Sequence, residues 1–269
     1  MKKMLCTVCA VLLGASAFTG CKKQEAAGDL SLQKVLAAKT LTLGLDDSFP
    51  PMGFRDENGE ITGYDIDLAK EAARRLGVAL VTQPIDWNAK EQELNTGEID
   101  CIWNGFTITE ERKKALLFTP PYLRNAQVAV VKTASPVVSL ADLAGKSVGT
   151  QAGSSSLHAI DGAPEFKASL KQIVEYRDYL TALMDLDVGG LDAVVIDLLV
   201  ANDNINRSGK QFRVLDETLE AEEYGIGFRL NDKALADAVW QTLLEMAADG
   251  TIAGISEKWF GADINIAGE

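Results

Sequence analysis

Histidine is nearly absent from this sequence, and its scarcity excludes several kinds of catalytic site. His158 is the only histidine, so zinc sites built on several histidines and the His-Glu-x-x-His motif are absent. A Ser/His/Asp triad would have to use His158, and no Gly-x-Ser-x-Gly elbow is present. Residues 149–155 are rich in glycine and serine but lack the lysine and the spacing of a phosphate-binding loop. We therefore expect no metal, no cofactor and no nucleotide hydrolysis.

Positive charge is also scarce. The 269 residues carry 26 Lys and Arg against 39 Asp and Glu, a formal net charge of −13. No basic stripe exists, so nucleic acid and anionic membrane surfaces are disfavoured as partners on electrostatic grounds. With 47% hydrophobic residues, the chain is long enough to bury a full core in one large or two modest domains.

The first residues have the layout of a secretory signal peptide. Two lysines precede an apolar run over residues 4–17, which is too short to span a bilayer comfortably. Cleavage after Ala17 fits the small-x-small pattern, whereas Phe18-Thr19-Gly20-Cys21 resembles a lipoprotein box that ends on the acylated cysteine. We favour the second site, with residues 1–21 as the signal peptide, although Phe18 stands where leucine is usual.

Cysteine usage agrees with an exported lipoprotein. Cys6 and Cys9 lie in the leader, Cys21 is then the lipidation site, and Cys101 stands alone in a predicted strand. No internal disulfide is available despite export, and we expect Cys101 to be a small core residue rather than a reactive thiol. Residues 22–39 are predicted to be a tether. The protein would then be held on a membrane outside the cytoplasm, in the periplasm or on the outer face of the cytoplasmic membrane.

Strands and helices alternate along the rest of the chain. Hydrophobic runs bounded by Gly and Pro predict strands at 41–45, 79–82 and 101–103, with helices at 65–76 and 90–96 between them. This order is typical of a parallel sheet. A second series of the same kind follows, with strands at 146–150, 172–176 and 193–196 and helices at 179–186 and 198–206. Residues 224–229 predict a strand that returns to the first series, and the tail is helical.

The sequence thus predicts an α/β fold of two lobes, each an open, mainly parallel sheet flanked by helices. The first lobe comprises residues 40–131 and 223–269, and the second comprises residues 132–222. Residues 127–131 predict a strand that leads into the polar residues 132–136, where the chain would cross to the second lobe. This crossing, near Val131, and a second one near Glu223 would join the lobes and act as a hinge.

The segment from Asp100 to Arg112 carries the clearest functional signal. A short apolar run is predicted to stop in a turn at Asn104-Gly105, and Thr109 is a plausible N-cap for a helix that contains Arg112. An arginine beside hydroxyls and backbone amides suits a carboxylate, because its planar fork donates two parallel hydrogen bonds. The alternative is a solvated surface helix.

Polar side chains stand at the predicted strand ends of both lobes, where open parallel sheets bind ligands. They are Asp46, residues 104–107, residues 151–156 and Asp197. If the edges face each other, an anionic group can meet Arg112 and the helix start after Ser154, while an ammonium can meet Asp197. An α-amino acid carries both groups on neighbouring atoms.

Each of these residues also has an ordinary structural explanation. Asp197 and Ser154 fit as helix N-caps, and Asp46 fits as a turn acid before two prolines. Phe49 and Trp87 fit as ordinary core or surface aromatics. The alternative is that their rings form the walls that enclose a ligand side chain.

Seven segments in order carry a family resemblance: Leu-Asp-Asp-Ser-Phe-Pro-Pro at 45–51, Gly-Tyr-Asp-Ile-Asp-Leu-Ala at 63–69, Asn-Gly-Phe-Thr-Ile-Thr-Glu-Glu-Arg at 104–112, Phe-Thr-Pro-Pro-Tyr at 118–122, Val-Gly-Thr-Gln-Ala-Gly-Ser-Ser at 148–155, Asp192-Ala193 to Asp197, and Tyr-Gly-Ile-Gly-Phe at 224–228. Together they resemble the polar amino acid-binding proteins of bacterial ATP-driven importers, the family 3 periplasmic solute-binding proteins. The resemblance covers Leu41 to Gly261 and implies the two-lobed, type II periplasmic-binding-protein fold.

The resemblance also implies roles for residues. Arg112 and the amides near Ser155 would hold an α-carboxylate, while Asp197, Thr107 and the carbonyl of Gly105 would hold the α-ammonium. The remaining predicted contacts are Asp46 at the far end of the ligand side chain, with Phe49, Trp87, Asn104, Phe106, Gln151 and Ser154. Asn104 and Gln151 depart from the family pattern or vary within it, so side-chain preference transfers least.

The expected function is capture of a polar or basic L-amino acid, of the glutamine, cystine, arginine or histidine type, between closing lobes. The acids of the predicted pocket argue against glutamate and aspartate. Expected partners are a membrane permease with its ATPase, and the protein is expected to be a monomer. Two alternatives stay open: an enzyme resembling cyclohexadienyl dehydratase, which shares this fold, and a ligand sensor that hands its loaded form to a partner.

Overall fold

A computed structural model describes residues 28–269, which form alternating helices and strands. The helices are α1 (Ser31–Ala38), α2 (Tyr64–Leu76), α3 (Lys90–Thr96), α4 (Ser155–Gly162), α5 (Pro164–Ser169), α6 (Tyr179–Val188), α7 (Leu198–Ser208), α8 (Lys233–Ala248) and α9 (Thr251–Phe260). The strands are β1 (Thr40–Leu45), β2 (Ser48–Phe49), β3 (Gly53–Arg55), β4 (Ile61–Thr62), β5 (Ala79–Pro84), β6 (Cys101–Thr107), β7 (Leu116–Phe118), β8 (Leu123–Lys132), β9 (Ser147–Gln151), β10 (Gln172–Tyr176), β11 (Ala193–Asp197) and β12 (Phe212–Arg229). The predicted signal peptide, its cleavage and lipidation at Cys21 lie outside the described residues.

The strands divide into two parallel groups, as predicted. In the first lobe β1 pairs in parallel with β5 and with β6. In the second lobe β9 pairs in parallel with β10 and with β11. The antiparallel strands β8 and β12 run between the groups and join them into one sheet in the order β10-β9-β11-β8-β12-β6-β1-β5. Among residues 28–269, no helix is long and apolar enough to cross a membrane.

The first crossing lies earlier in the chain than the predicted Val131. Residues 127–130 of β8 already pair with β11 of the second lobe, while Leu123 pairs with Tyr224, which also pairs with Thr107 of the first lobe. The change of lobe on β8 therefore falls between Leu123 and Gln127. The polar residues 132–136, used for the prediction, end the strand rather than mark the crossing.

The predicted tether is too long. Residues 31–38 form helix α1, with Val35 only 3% exposed in the core of the first lobe. The Ser31 hydroxyl accepts a hydrogen bond from the backbone N–H of Leu235 at the start of α8, at 3.1 Å. This buried apolar position and this hydrogen bond tie the segment to the domain, so the chain is part of the first lobe from residue 31 onward.

The segment that contains Arg112 also differs from its prediction. Strand β6 continues through Asn104 and Gly105 to Thr107, and all seven of its residues are buried. The helix predicted after Thr109 is a single 3-10 turn over Arg112–Lys114. Thr109 still accepts a hydrogen bond from the N–H of Arg112, at 3.1 Å. Cys101 is fully buried, as predicted, and burial raises the pKa of its thiol.

Candidate ligand-binding site

A small cavity with about 10 Å³ of free volume lies between the two lobes. This space is enough for about one water molecule, so the side chains that line it lie close together. Eleven of the twelve predicted contact residues line it: Asp46, Phe49, Trp87, Asn104, Gly105, Thr107, Arg112, Gln151, Ser154, Ser155 and Asp197. Phe106 is the exception, because its fully buried ring lies beneath Arg112, 4.5 Å from the guanidinium carbon.

The first lobe contributes Arg112 and the end of β6. The Arg112 guanidinium donates to the carbonyl of Thr107 at 2.8 Å and, through its other terminal nitrogen, approaches the carbonyl of Gly153 at 3.5 Å. Neither bond uses a charged acceptor, so the guanidinium keeps its charge uncompensated by a direct ion pair. Burial lowers the pKa of Arg112, while the nearby carboxylates of Glu222 and Asp197 oppose that shift.

Gly105 is held in a conformation that side chains resist. Its φ of +54° is left-handed, and a Cβ there would lie 2.8 Å from the ring of Phe49. The carboxylate of Asp65, at the start of α2, accepts the N–H of Gly105 at 2.6 Å and the hydroxyl of Tyr122 at 2.8 Å. This anchoring turns the peptide at Gly105 toward the cavity edge, which only glycine permits without strain.

The second lobe contributes the start of α4. Ser154 is the N-cap of this helix, which was the ordinary structural explanation for it, and its hydroxyl accepts from the N–H of Leu157 at 3.4 Å. Ser154 and Ser155 are 6% and 7% exposed and also line the cavity. The first turn of a helix presents free N–H groups and the positive end of the dipole, so this wall favours an anion.

Asp197 is not a side-chain cap, which removes its alternative explanation. It stands at the N-terminus of α7 without a capping hydrogen bond. Its carboxylate instead accepts from the hydroxyl of Tyr224 at 2.5 Å and from the amide of Asn125 at 2.9 Å. It is 2% exposed, and this burial raises its pKa.

Asp46 makes a turn contact and also reaches across the cavity. One carboxylate oxygen accepts the N–H of Ser48 at 2.9 Å, which is a turn contact. The other accepts from the amide of Gln151, across the cavity on the second lobe, at 2.7 Å. Burial raises the pKa of Asp46 to about 6, although the bond from Gln151 opposes the shift.

Two further contacts, Thr107 with Ser155 and Lys90 with Gly153, join the lobes around the cavity. The hydroxyl of Thr107 donates to that of Ser155 at 3.0 Å. The ammonium of Lys90 donates to the carbonyl of Gly153 at 3.0 Å and to that of Trp87 at 3.1 Å. The structure is therefore a closed arrangement in which each lobe completes the polar contacts of the other.

Sequence reasoning missed the residues that surround the site. Tyr179, the first residue of α6, lines the cavity, with its ring centroid 5.8 Å from that of Phe49. Asp65 was assigned only to a helix, and no signal marks it apart from its place in the Gly-Tyr-Asp segment. Four further residues lie on the crossing strands β8 and β12: Asn125, Gln127, Glu222 and Tyr224. A pattern of alternating residues predicts such strands, but it does not predict which of their polar side chains come into contact.

The family model for bacterial extracellular solute-binding proteins, family 3, matches residues 41–262. The chain belongs to this family. Among curated family members, it is 33% identical to the L-cystine-binding protein TcyJ of Escherichia coli (strain K12) over 87% of each chain. It is 32% identical to ABC transporter arginine-binding protein 1 of the same strain, over 83% of this chain and 92% of that one.

Solved structures of solute-binding proteins agree. The crystal structure of Tv2483 bound to L-arginine has a TM-score of 0.86 at 35% identity, covering 90% of this chain and 99% of that one. An ABC uptake transporter substrate-binding protein of Streptococcus pneumoniae with bound histidine has a TM-score of 0.86 at 36% identity, covering 89% and 99%. The ancestral amino acid-binding protein AncCDT-1, described as a precursor of cyclohexadienyl dehydratase, has a TM-score of 0.79 at 34% identity, covering 86% and 99%. The fold is thus the type II periplasmic-binding-protein fold.

Proposed function

We propose that this protein captures a polar or basic L-amino acid between its two lobes and delivers it to an ATP-driven importer. One observation carries the proposal: Arg112 of the first lobe and the buried carboxylate of Asp197 on the second line the same small cavity. A cation and an anion in one enclosed space match a ligand with carboxylate and ammonium groups on adjacent atoms. Relatives named for cystine, arginine and histidine support this ligand class.

The α-carboxylate would be bound by Arg112 and by the N-terminus of α4. The guanidinium now donates only to neutral carbonyls, and a carboxylate is a stronger acceptor because its bonds to arginine are charge-assisted and bidentate. The backbone N–H groups near Ser155 would add the contribution of the helix terminus.

The α-ammonium would be bound by Asp197, the hydroxyl of Thr107 and the carbonyl of Gly105. Asp65 accepts the N–H of Gly105 and so helps to fix the backbone whose carbonyl would accept from the ammonium. Thr107 and Asp197 come from different lobes, so the ammonium would be bound fully only when the lobes close. Closure by a hinge would also exclude water, which strengthens every charged contact in the site.

The far end of the cavity would select the ligand side chain. Asp46 and Gln151 face each other there, with Phe49, Trp87 and Tyr179 as apolar walls. A carboxylate at this end repels aspartate and glutamate and accepts amide, imidazole or guanidinium donors. We therefore place glutamine, cystine, histidine and arginine before the acidic amino acids.

Delivery would depend on a membrane anchor and on a permease with its ATPase. We propose lipidation at Cys21, which would hold the mature protein at the cell envelope as a monomer. Incorporation of labelled palmitate into the wild-type protein, and its loss in Cys21→Ser, would support the anchor. Release of a soluble, unlabelled wild-type protein would instead favour cleavage after Ala17.

Thermal unfolding with a panel of ligands tests the main proposal. The purified protein would be unfolded and refolded to remove carried-over ligand, then heated with each of the twenty amino acids, with cystine and with prephenate. A ligand at a hundred times its dissociation constant adds about 2.7 kcal/mol of stability, so one polar or basic amino acid should raise the melting temperature clearly. A response to none of the amino acids would refute the proposal.

The enzyme alternative is tested in the same panel. A dehydratase needs a carboxylic acid positioned as general acid over its substrate. Asp46 and Asp197 line the cavity and burial raises the pKa of both, but Asp46, at about 6, is mostly ionised at pH 7. A thermal shift or turnover with prephenate, without an amino acid response, would assign the chain to that class.

A further inference from the structure

A second carboxyl group lies beside Asp197 at the junction of the lobes. Glu222 is on β12, two residues before Tyr224, the residue at which that strand takes up pairing with β6. One amide nitrogen, Nδ2 of Asn125, lies 2.9 Å from Oδ1 of Asp197 and 2.6 Å from Oε1 of Glu222. The two carboxyl groups therefore share a donor and are close neighbours.

Glu222 also connects the ammonium side of the cavity to its carboxylate side. Its Oε1 accepts from the side-chain amide of Gln127 at 2.8 Å, and that same amide donates to the hydroxyl of Ser155 at 3.1 Å. Ser155 in turn accepts from Thr107 of the first lobe. Glu222 thus fixes, through two amides, side chains that meet both ends of the proposed ligand.

The charged and titratable groups around Glu222 are mostly acidic. Asp197 on β11 is the nearest charge, Tyr179 on α6 and Tyr224 on β12 are phenols, and Arg112 is the cation that acts on it. Arg112 forms no salt bridge with either acid among the described residues. Burial first, and then the charge of Asp197, raise the pKa of Glu222 to about 8.

We propose that Glu222 is a positioning residue of the ammonium subsite, and that it holds a proton which it releases to solvent when the ammonium group docks on Asp197. The inference rests on the proposed function, since it needs a ligand with an ammonium group. A protonated Glu222 can donate to the Asp197 carboxylate, which fixes that group without adding a second buried negative charge.

Binding of the ligand ammonium changes the protonation equilibrium of Glu222. The ammonium brings a positive charge beside both carboxyl groups, which favours the ionised form of each. The O–H bond of Glu222 then breaks, its electron pair stays on the carboxylate, and the proton passes to buffer through the partly exposed side of the residue. The ionised carboxylate keeps its hydrogen bonds from Asn125 and Gln127.

Calorimetry with the best amino acid of the ligand panel measures the proton directly. Titration at pH 7 in two buffers with different ionisation enthalpies should show release of up to about one proton per ligand, and affinity should rise by up to about tenfold per pH unit from pH 6 to 8. Glu222→Gln should still bind but with no proton release and a flat pH profile. Glu220→Gln, an exposed acid on the same strand, should behave as the wild type.

Two results overturn the inference: no proton release by the wild type, or the same release by Glu222→Gln. A structural role alone would lower affinity in Glu222→Gln without changing the number of protons. If no amino acid binds the wild type, the proposed function fails, and the protonation of Glu222 is tested in the ligand-free protein instead. The stability of the wild type should then fall more steeply between pH 5 and 8 than that of Glu222→Gln. Equal slopes would show that Glu222 holds no proton.

Discussion

Arg112 is a cation in the cavity wall whose local contacts include no acid among residues 28–269. It lies in a 3-10 turn with its guanidinium over the ring of Phe106, and its hydrogen bonds go to backbone carbonyls rather than to acids. Apart from a ligand carboxylate, no partner in the described chain matches its charge at hydrogen-bond distance. Packing against Phe106 sets the position of the guanidinium, and its positive charge can still pair with an anion that enters the cavity.

We expect Arg112→Ala to lose more than a hundredfold in amino acid affinity. Removing one partner of a buried charge pair leaves the ligand carboxylate unpaired, at about 3–5 kcal/mol. Isothermal titration measures the loss, with thermal unfolding to verify that the variant folds. Arg124→Ala is the control, because Arg124 is exposed and its ion-pair partner among residues 28–269 is Glu269, at the surface. Near-normal binding by Arg112→Ala would contradict the assignment.

Single residues also show where sequence reasoning stops. Asp46, Arg112 and Asp197 were predicted because each stands at a strand end or turn, and the topology brings strand ends together. Glu222 was not predicted, because its neighbours Asn125 and Gln127 are almost a hundred residues away in the chain. Its role depends on the register between β8 and β12, which contains irregular steps that no local pattern encodes.

At the scale of elements, the loop from β9 to α4 approaches the first lobe closely. Gly153 in this loop has a φ of +67°, and a Cβ there would lie 2.9 Å from Oδ1 and 3.3 Å from Cα of Asn88 on the first lobe. Its carbonyl accepts from Lys90, also on the first lobe. The loop can approach so closely only because this residue has no side chain.

We expect Gly153→Ala to weaken closure more than it weakens the fold. The left-handed backbone costs roughly 1–2 kcal/mol for alanine, and the clash across the lobes adds roughly 1–3 kcal/mol that only the closed form bears. Affinity should therefore fall by tenfold or more. Gly145→Ala is the matched control, because Gly145 has a φ of +71° with no atom within 4 Å of the added Cβ.

The two variants should lose similar amounts of ligand-free thermal stability, while only Gly153→Ala should lose affinity. An equal affinity for both would show that the loop does not limit closure. A larger radius of gyration for Gly153→Ala with ligand, measured by small-angle X-ray scattering, would tie the loss to incomplete closure.

Most elements were predicted within a few residues, and the largest exceptions depend on contacts with distant parts of the chain. The parallel strands and the helices between them are local and periodic, as α2 with its C-terminal Gly77 illustrates. The long strands β8 and β12 were predicted only in part, because they pass through both lobes and their ends are defined by changing partners. The first crossing was misplaced for that reason, and α1 was missed because its burial depends on α8.

At the scale of the described chain, buried acids dominate the dependence of stability on pH. Burial raises the pKa of Asp46 to about 6, of Asp65 to about 7 and of Glu222 to about 8, and it also raises the pKa of Asp197. In the unfolded chain these groups titrate near pH 4. Because the folded state holds their protons more tightly, their stabilising effect is fully present below about pH 4 and is lost as pH rises through 6 to 8.

Two surface acids have lowered pKa values, and they make stability depend on pH only in the acidic range. Contacts with arginines lower the pKa of Glu71 to about 2, and contacts with Thr251 and Arg75 lower that of Asp249 to about 2. Folded pKa values below the unfolded ones stabilise the fold at neutral pH and lose that effect only as pH falls below about 4. Both acids lie at the surface, where solvent screens such pairs, so they do not offset the buried acids between pH 5 and 8.

We therefore expect the ligand-free protein to be more stable at pH 5 than at pH 8, by a few kcal/mol at about 1.4 kcal/mol per unit of pKa shift before relaxation. Urea unfolding midpoints at pH 5, 6, 7 and 8 measure the slope. Asp65→Asn should flatten it, because Asp65 is fully buried and is held only by the N–H of Gly105 and the hydroxyl of Tyr122. Asp216→Asn, which changes an exposed acid, should leave the slope unchanged.

A urea midpoint that rises from pH 5 to 8 would contradict this prediction. It would mean that these carboxyl groups are ionised in the folded protein, and that solvent or a bound cation reaches them.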